Sequence, residues 1–194
     1  PHKKLQAQQG VLIFSYLCDM RRIIFLDIDG VLATGKVVRD GMWGLEEDKM
    51  RMLDDLVREL DCEIVISSSW RKDTIEATKE FMLQEGMLES LASRISGVTI
   101  RAYHYLVKGA AISIPRGVEI KQWLDHNVHS GGNGLYVLGN NGTYVRSSIG
   151  IDYQYVILDD DSDMLLEQFG HFVRCDTSIG LTTDGIHRAS QILK

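Results

Sequence analysis

Three short and largely apolar runs, each followed directly by a polar cluster, constrain the fold of this chain more than any other feature of its sequence. The runs cover residues 23–26, 63–66 and 155–158. Runs of this kind are typical of β-strands that are buried on both faces, as in parallel sheets. We therefore predict that the three runs are core strands of a mainly parallel sheet.

Helical patterns separate these strands. Apolar residues at helical spacing predict a helix from about residue 46 to residue 60, with acidic residues at its positive end. Asp73 and Asp184 are candidate caps for two further helices, and Pro115 fits the first turn of another. Strands that alternate with amphipathic helices predict a Rossmann-like, three-layer α/β/α sandwich.

The polar clusters at the strand ends predict where the site lies. The runs end in Asp27 and Asp29, in the serines at 67–69, and in residues 159–163, of which four are aspartate. Ligands of such sheets bind at the carboxyl ends of the strands, so we expect one site built from all three clusters. Because close carboxylates repel one another unless a cation or a proton intervenes, this concentration of acid predicts a bound cation.

Composition excludes some functions and leaves others open. The formal net charge of −6 over 194 residues excludes a generally basic nucleic-acid binder, although a local basic patch remains compatible with it. The cysteines Cys18, Cys62 and Cys175 lack the spacing of a zinc site or of a disulfide framework. We therefore predict reduced thiols and a cytoplasmic location.

A single domain is predicted for residues 20–194. We interpret residues 1–19 as an N-terminal extension or a leader, and we expect no membrane association, because their short apolar stretch cannot span a bilayer. Residues 135–146, which contain Asn141-Gly142, are predicted to form a hairpin that elaborates the domain.

The strand ends also carry sequence motifs. Residues 25–32, with the sequence Phe-Leu-Asp-Ile-Asp-Gly-Val-Leu, closely resemble the first motif of the haloacid dehalogenase-like (HAD) hydrolase superfamily. Residues 64–67 resemble its second motif, an apolar strand that ends in serine or threonine, and residues 156–163 resemble its acidic fourth motif. The resemblance covers residues 22–194 and implies a HAD-like fold, with little or no cap domain between the motifs.

A narrower resemblance lies outside these motifs. Residues 68–71, 117–124 and 177–182 are similar to the HAD domains associated with RNA-repair proteins. An open site suits a substrate that can itself cover it. The resemblance therefore implies a phosphorylated substrate such as a nucleotide or a polynucleotide end.

The HAD resemblance assigns catalytic roles residue by residue. Asp27 matches the nucleophile that attacks phosphorus and becomes an aspartyl phosphate, which a second step hydrolyses. Asp29 matches the general acid/base, which protonates the leaving oxygen and then activates water. Ser67 matches the residue that hydrogen-bonds a phosphoryl oxygen, with help from the backbone at Ser68. Gly30 permits the turn that lets the two aspartates flank one centre.

The same resemblance implies a Mg²⁺ site. The protein ligands are matched by Asp27, by the backbone carbonyl of Asp29, and by Asp159. The sequence leaves open whether Asp160 or Asp163 is the second acidic ligand of the fourth motif. A cluster of carboxylate oxygens also suits this hard cation on chemical grounds.

The cation of the third motif, which holds the phosphoryl group and the nucleophile together, is harder to place. Arg116 and Lys121 both qualify, and Lys108 is a further candidate. We favour Arg116, because it lies just inside a predicted helix start that faces the carboxyl edge of the sheet. Arg71 is interpreted equally as a phosphate contact or as half of a structural salt bridge. Trp43 is interpreted as packing under its loop or as a surface for base stacking.

These expectations combine into one function. The chain is expected to be a Mg²⁺-dependent phosphatase that hydrolyses a phosphomonoester through an aspartyl-phosphate intermediate. Two alternatives stay open: a phosphotransferase that passes the phosphoryl group to an alcohol, and a non-catalytic phosphate- or metal-binding module on the same fold. The sequence does not indicate the oligomeric state.

Overall fold

Short strands and helices make up the described part of this computed structural model. The structure describes residues 20–39, 41–101, 103–105, 111–129, 136–138, 144–146 and 153–194. In chain order, the strands are β1 (Arg21–Leu26), β2 (Val38–Arg39), β3 (Met42–Trp43), β4 (Glu63–Ile66), β5 (Ile95–Val98), β6 (Tyr103–Tyr105), β7 (Ala111–Ser113), β8 (Tyr136–Leu138), β9 (Tyr144–Arg146), β10 (Tyr153–Asp159) and β11 (Phe172–Arg174). The α-helices are α1 (Glu47–Leu60), α2 (Ile75–Gln84), α3 (Glu89–Ser93), α4 (Arg116–Leu124) and α5 (Thr183–Leu193), and the structure also has a π-helix at Asp125–His129 and a 3-10 helix at Leu166–His171.

Five of these strands form one parallel sheet. Their order is β11-β10-β1-β4-β5, so that β1 lies in the middle. Leu26, the last residue of β1, is paired with Leu158 of β10 on one side and with Ile66 of β4 on the other. The carboxyl ends of the three central strands are therefore level with one another.

The side chains of β1 alternate between two hydrophobic cores, one on each face of the sheet. Ile24 and Leu26 belong to a core that α1, α3 and α5 cover. Ile23 and Phe25 belong to a second core, which α4 covers with residues such as Trp123. Helices thus cover a parallel sheet on both faces, and the predicted Rossmann-like, three-layer α/β/α fold is confirmed.

The helix predicted at 46–60 is confirmed as α1, but the two predicted aspartate caps are wrong. The residues that cap α2 and α5 are Thr74 and Thr182. Each threonine hydroxyl accepts a hydrogen bond of 3.1 Å from the backbone N–H three residues further on. Asp73 and Asp184 lie one residue before and two residues after these positions, so neither supplies the cap bond.

The insertions around the sheet are short in the described part of the chain. The hairpin of β2 and β3 lies between β1 and α1, and β6 pairs antiparallel with β7. Strands β8 and β9 are also antiparallel partners, while residues 1–19 and Asn141-Gly142, for which a turn is predicted, lie outside the described residues. Within the described residues, we find no helix whose length and apolar character would let it cross a membrane.

Candidate active site

The ends of β1, β4 and β10 bring three polar side chains together at one edge of the sheet. Because these strands end in register, Asp27, Ser67 and Asp159 lie side by side. The backbone ladder continues into this region, since the N–H of Asp27 donates to the carbonyl of Leu158 at 3.0 Å. The N–H of Ser67 donates to the carbonyl of Leu26 at 2.9 Å. The site is therefore built on the rigid centre of the sheet.

Three carboxylates converge at this edge. One oxygen atom from each of Asp27, Asp159 and Asp160 lies within 4.8 Å of the other two. Asp27 is 5% exposed and Asp159 is fully buried. Gly30 makes room for the third carboxylate, because a Cβ at this position would collide with the side chain of Asp160. Gly30 also has a φ of +69°, which the predicted turn after Asp29 requires.

Burial perturbs the two inner carboxylates. Burial, followed by the charge of Asp27, raises the pKa of Asp159 to about 8. Burial also raises the pKa of Asp27, although the charge of Arg116 and a hydrogen bond from Ser68 oppose this rise. The ionised forms of Asp27 and Asp159 therefore need a nearby positive charge to stabilise them.

Arg116 supplies positive charge from the first turn of α4. Its Nε lies 3.6 Å from Asp159 Oδ2, and its Nη2 lies 3.8 Å from Asp27 Oδ2. Its Nη1 donates to the carbonyl oxygen of Ser67. The side chain is 17% exposed, so it faces the site from a largely buried position. One guanidinium thus contacts the ends of β1, β4 and β10.

Two other residues considered for these roles, Asp163 and Lys121, lie outside this cluster. Asp163 Oδ2 accepts a hydrogen bond of 2.8 Å from the backbone N–H of Arg116, which places it at the start of α4 and outside the three-carboxylate cluster. Lys121 is half exposed, and its Nζ lies 3.3 Å from Oδ2 of Asp125, the residue that directly follows α4. Lys108 lies outside the described residues.

Asp29 is held by two donors from the segment that follows β4. Nε1 of Trp70 donates to Oδ1 of Asp29 at 3.0 Å. Oγ of Ser69 donates to Oδ2 at 3.2 Å. Both carboxylate oxygens of Asp29 therefore have a partner, which defines the orientation of this side chain at the rim of the site.

The two buried serines differ in their hydrogen bonding. Ser68 bonds to the carboxylate of Asp27, and its Oγ accepts a hydrogen bond of 3.3 Å from the backbone N–H of Trp70. Within the described residues, neither the hydroxyl of Ser67 nor Oδ2 of Asp159 has a hydrogen-bond partner, although both are buried. Because an unpaired buried polar atom costs free energy, both atoms are in a position to be stabilised by a ligand.

Arg71 forms a structural salt bridge, which is one of the two roles that the sequence leaves open for it. It is 7% exposed, and its Nη2 lies 2.6 Å from Glu119 Oε2 on α4. Its Nη1 donates to the carbonyl of Ser68 at 2.6 Å. The pair joins the serine segment to α4, and so it helps to hold Arg116 beside the carboxylates.

The donor atoms of the cluster suit a hard divalent cation. All three side chains offer carboxylate oxygens, and one of these oxygens is buried without a hydrogen-bond partner in the described structure. Oxygen-only ligand sets favour Mg²⁺, Ca²⁺ or Mn²⁺ over softer metals. Asp27, Asp159 and Asp160 therefore fit the Mg²⁺ that the sequence predicts.

Sequence reasoning missed several contacts around these residues. Besides the bond from Trp70 to Asp29, Thr177 Oγ1 donates to Asp160 Oδ2 at 2.7 Å. Glu119, which anchors Arg71, was not singled out either. Trp70, Glu119 and Thr177 all belong to segments that resemble RNA-repair HAD domains, and this was the signal that could have identified them.

Comparison with known proteins also points to the HAD domains of RNA-repair proteins. The family model for the HAD domain in Swiss Army Knife RNA repair proteins matches residues 23–138, which is more than half of the chain. The match includes Asp27 and Arg116, and it ends before the strand that carries Asp159. No curated protein and no solved structure matches the chain. The chain therefore belongs to the family of HAD domains found in Swiss Army Knife RNA repair proteins.

Proposed function

We propose that this protein is a Mg²⁺-dependent phosphomonoesterase in which Asp27 is the nucleophile. The observation that carries the proposal is the contact of one guanidinium, that of Arg116, with the two buried carboxylates of Asp27 and Asp159. Asp160 completes an oxygen cluster beside them. Phosphoryl transfer requires a positioned nucleophile together with concentrated positive charge, and this arrangement supports both.

The reaction proceeds in two steps. In the first, the carboxylate of Asp27 attacks phosphorus, the bond to the leaving oxygen breaks, and Asp29 donates a proton to that oxygen. In the second, Asp29 accepts a proton from water, which attacks phosphorus of the aspartyl phosphate. The bond between Asp27 and phosphorus breaks, so that inorganic phosphate leaves and the carboxylate is restored. The two donors that hold Asp29 at the rim support its role as a positioned acid and base.

Arg116 and Ser67 bind the phosphoryl oxygens. Arg116 holds the phosphoryl group against Asp27, because its guanidinium is already within 3.8 Å of the nucleophile. The hydroxyl of Ser67, which has no hydrogen-bond partner among the described residues, donates to a phosphoryl oxygen. Lys121 takes no part in this scheme, since its charge is paired along the helix surface.

The cation is held by Asp27, Asp159 and Asp160, with the backbone carbonyl of Asp29 as a further ligand. When bound, Mg²⁺ neutralises charge on the carboxylates and on the transferring phosphoryl group. Asp160 is preferred to Asp163 as the second acidic ligand, because Asp163 bonds to the start of α4.

The proposed substrate is a nucleotide or a phosphorylated polynucleotide end. The short β2–β3 hairpin between β1 and α1, in the described part of the chain, supports a site that a large substrate can reach. The RNA-repair description of the matching family supports the same class. A reducing compartment such as the cytoplasm is part of the proposal, and the free, buried thiols of Cys62 and Cys175 support it.

The test measures phosphate release from an aryl phosphate, from 3′- and 5′-nucleotides, and from 3′- and 5′-phosphorylated oligonucleotides. Each substrate is assayed with Mg²⁺, with a chelator, and with the Asp27→Asn variant. We expect release that requires Mg²⁺ and is lost in Asp27→Asn, while circular dichroism shows an intact fold. Full activity in Asp27→Asn would exclude the covalent mechanism.

The same assay separates the alternative activities. Addition of an alcohol acceptor yields a new phosphomonoester if the protein is a phosphotransferase, whereas a phosphatase continues to release inorganic phosphate. Binding of Mg²⁺ without turnover of any substrate would favour a non-catalytic module.

A further inference from the structure

A cavity adjoins the site on the side of Asp29. Its volume of about 410 Å³ lies in the range of pockets that hold small organic ligands. The lining includes Asp29 and, beyond it, Trp43, Trp70, Lys72, Phe81 and Glu85. Three of these side chains are aromatic, so the chemistry of this cavity differs from that of the acidic edge beside it.

Trp43 provides an exposed aromatic surface in a defined position. It is paired with Val38 across the β2–β3 hairpin and is 42% exposed. Its ring rests against Gly35, where a Cβ would lie 2.8 Å from Nε1 of the indole. A positioned and exposed indole is a stacking surface for a planar ring.

The other side chains line the cavity and give it polar groups. The rings of Trp70 and Phe81 meet edge to face, with centroids 5.9 Å apart. Nζ of Lys72 lies 3.5 Å from the centroid of the Phe81 ring. Lys72 and Glu85 bring a donor and an acceptor to a cavity that is otherwise rich in rings. This combination suits a planar group that carries hydrogen-bonding atoms.

The position of the cavity identifies the part of the substrate that enters it. Under the proposed function, on which this inference rests, Asp29 protonates the leaving oxygen, so the leaving group must lie beside Asp29. We infer that the cavity binds the nucleoside of a nucleoside phosphomonoester, with its base stacked on Trp43 while the phosphoryl group reaches Asp27. A free mononucleotide and the terminal nucleotide of an oligonucleotide share this chemistry.

The test compares substrates that carry a base with one that does not. Phosphate release from 3′- and 5′-adenosine monophosphate and from 3′- and 5′-phosphorylated oligonucleotides is compared with release from glycerol phosphate. We expect the ratio of kcat/KM for a nucleotide to kcat/KM for glycerol phosphate to fall about ten-fold in Trp43→Ala, mainly through KM. The ratio should recover in Trp43→Phe, which restores an aromatic ring.

The matched control is Phe169→Ala, which removes another exposed aromatic ring. Phe169 is 54% exposed and precedes β11, whose opposite end faces the site. This variant should leave the ratio unchanged. If circular dichroism shows that Trp43→Ala does not fold, Trp43→Leu takes its place, because it keeps an apolar side chain without a ring.

The outcomes separate this inference from the proposed function. An unchanged ratio in a folded, active Trp43→Ala variant overturns the inference and leaves the phosphatase intact, as does a wild type that does not prefer nucleotides to glycerol phosphate. If the wild type releases phosphate from no substrate, the proposed function fails. Calorimetry on Asp27→Asn then measures ligand binding and tests whether the cavity binds a nucleoside. Tighter binding of adenosine monophosphate than of glycerol phosphate, lost when Trp43→Ala is added, supports the inference, and equal binding overturns it.

Discussion

At the scale of single residues, the orientation of Asp29 depends on its neighbours more than on its own backbone. The indole N–H of Trp70 and the hydroxyl of Ser69 each donate to one of its carboxylate oxygens. Ser69 is exposed and its bond is longer, so the bond from the half-buried Trp70 is better shielded from competing water. Trp70 is therefore a positioning residue for the proposed acid and base.

Trp70→Phe tests this role, because it removes the N–H while keeping an aromatic ring. We expect turnover of an alkyl phosphate, whose leaving group needs a proton, to fall about ten-fold, while an activated aryl phosphate is affected less. The measurement is kcat for both substrates. An equal loss for both substrates would point to a structural role instead, and Ser69→Ala should show a smaller effect in the same direction.

Gly30→Ala tests the close approach between the first and the fourth motif. The added Cβ would collide with the Asp160 carboxylate, so we expect a weaker apparent affinity for Mg²⁺ in activity titrations, by about ten-fold or more. Gly41→Ala is a matched control, since Gly41 also has a positive φ of +80° but a Cβ there meets no atom of the described residues within 4 Å. Both variants carry similar backbone strain, and an identical Mg²⁺ response in the two would contradict the predicted clash.

Individual residues show how far sequence reasoning reached and where it stopped. Asp27, Ser67 and Asp159 were identifiable because each follows a recognisable apolar strand, and strand ends gather at one edge of a parallel sheet. The bond from Trp70 to Asp29 was not, because it depends on how two loops face each other in space. For Arg71, the sequence could not separate a phosphate contact from a salt bridge, since its partner Glu119 lies on a helix 48 residues further along.

At the scale of elements, the pairing of β1 with β4 is reinforced by a side-chain ion pair. Arg21 Nε lies 2.6 Å from Glu63 Oε1, and Arg21 Nη2 lies 2.9 Å from Glu63 Oε2. Burial alone would raise the pKa of Glu63, but the hydrogen bonds from Arg21 and Ser96 outweigh it and hold the pKa below its ordinary value. The pair therefore stabilises the folded state when Glu63 is ionised.

The lowered pKa of Glu63 predicts a dependence of stability on pH. A carboxyl whose pKa is lower in the folded state contributes stability above its unfolded pKa and loses it as the pH falls through the folded value. Glu63→Gln should thus be less stable than the wild type at pH 7, by up to about 1 kcal/mol for a partly exposed pair. The difference should shrink below about pH 4.5, near the unfolded pKa of glutamate.

Urea denaturation at a series of pH values measures this difference. Glu47→Gln is the control, because Glu47 forms an exposed ion pair with Arg51 on the surface of α1 and should change stability little. A difference between wild type and Glu63→Gln that stays constant down to pH 3 would contradict the prediction.

Element boundaries were predictable where one signal dominated and unreliable where two competed. The periodic apolar residues of α1 defined that helix correctly. At α2 and α5, aspartate and threonine lie close together, and both residue types cap helices well. Each helix begins directly after its threonine, and only the residue at that boundary can act as the N-cap. Residue preference alone does not locate the boundary, so the prediction selected the wrong residue.

At the scale of the whole molecule, the acidic cluster that forms the proposed metal site lowers the stability of the metal-free protein. Burial and mutual repulsion destabilise the ionised carboxylates of Asp27 and Asp159 in the metal-free protein. A bound cation removes this penalty, so ligand binding and folding are coupled. The fold should therefore be more stable with Mg²⁺ than without it.

Thermal unfolding with and without Mg²⁺ tests this coupling. At a Mg²⁺ concentration of 100 times its dissociation constant, we expect stabilisation of about 2.7 kcal/mol, which raises Tm by roughly 5–10 °C for a domain of this size. Above about pH 8, where the buried Asp159 carboxyl is ionised in the metal-free protein, Asp159→Asn should raise the Tm because it removes a buried charge. The same variant should abolish the response to Mg²⁺. Asp161→Asn, at an exposed position outside the cluster, should respond as the wild type does.

The fold class of the whole molecule was predictable from the sequence. Buried strands alternating with helices indicated a parallel sheet with helices on both faces, and the structure confirms it. The order of the strands could not be read from the same pattern, because periodicity reports which face of a strand is buried and not which strand lies beside it. The position of β1 between β4 and β10 is a property of the assembled sheet.

That position has a consequence for how the protein is made. As the chain leaves the ribosome, β1, β4 and β5 emerge first and form neighbouring strands, so a half-sheet bearing Asp27 can assemble early. Asp159 and Asp160 follow only with β10, which pairs on the other side of β1. A nascent chain therefore carries Asp27, the proposed nucleophile, before the two aspartates that lie beside it in the folded protein, and the carboxylate cluster is complete only after β10 has been synthesised.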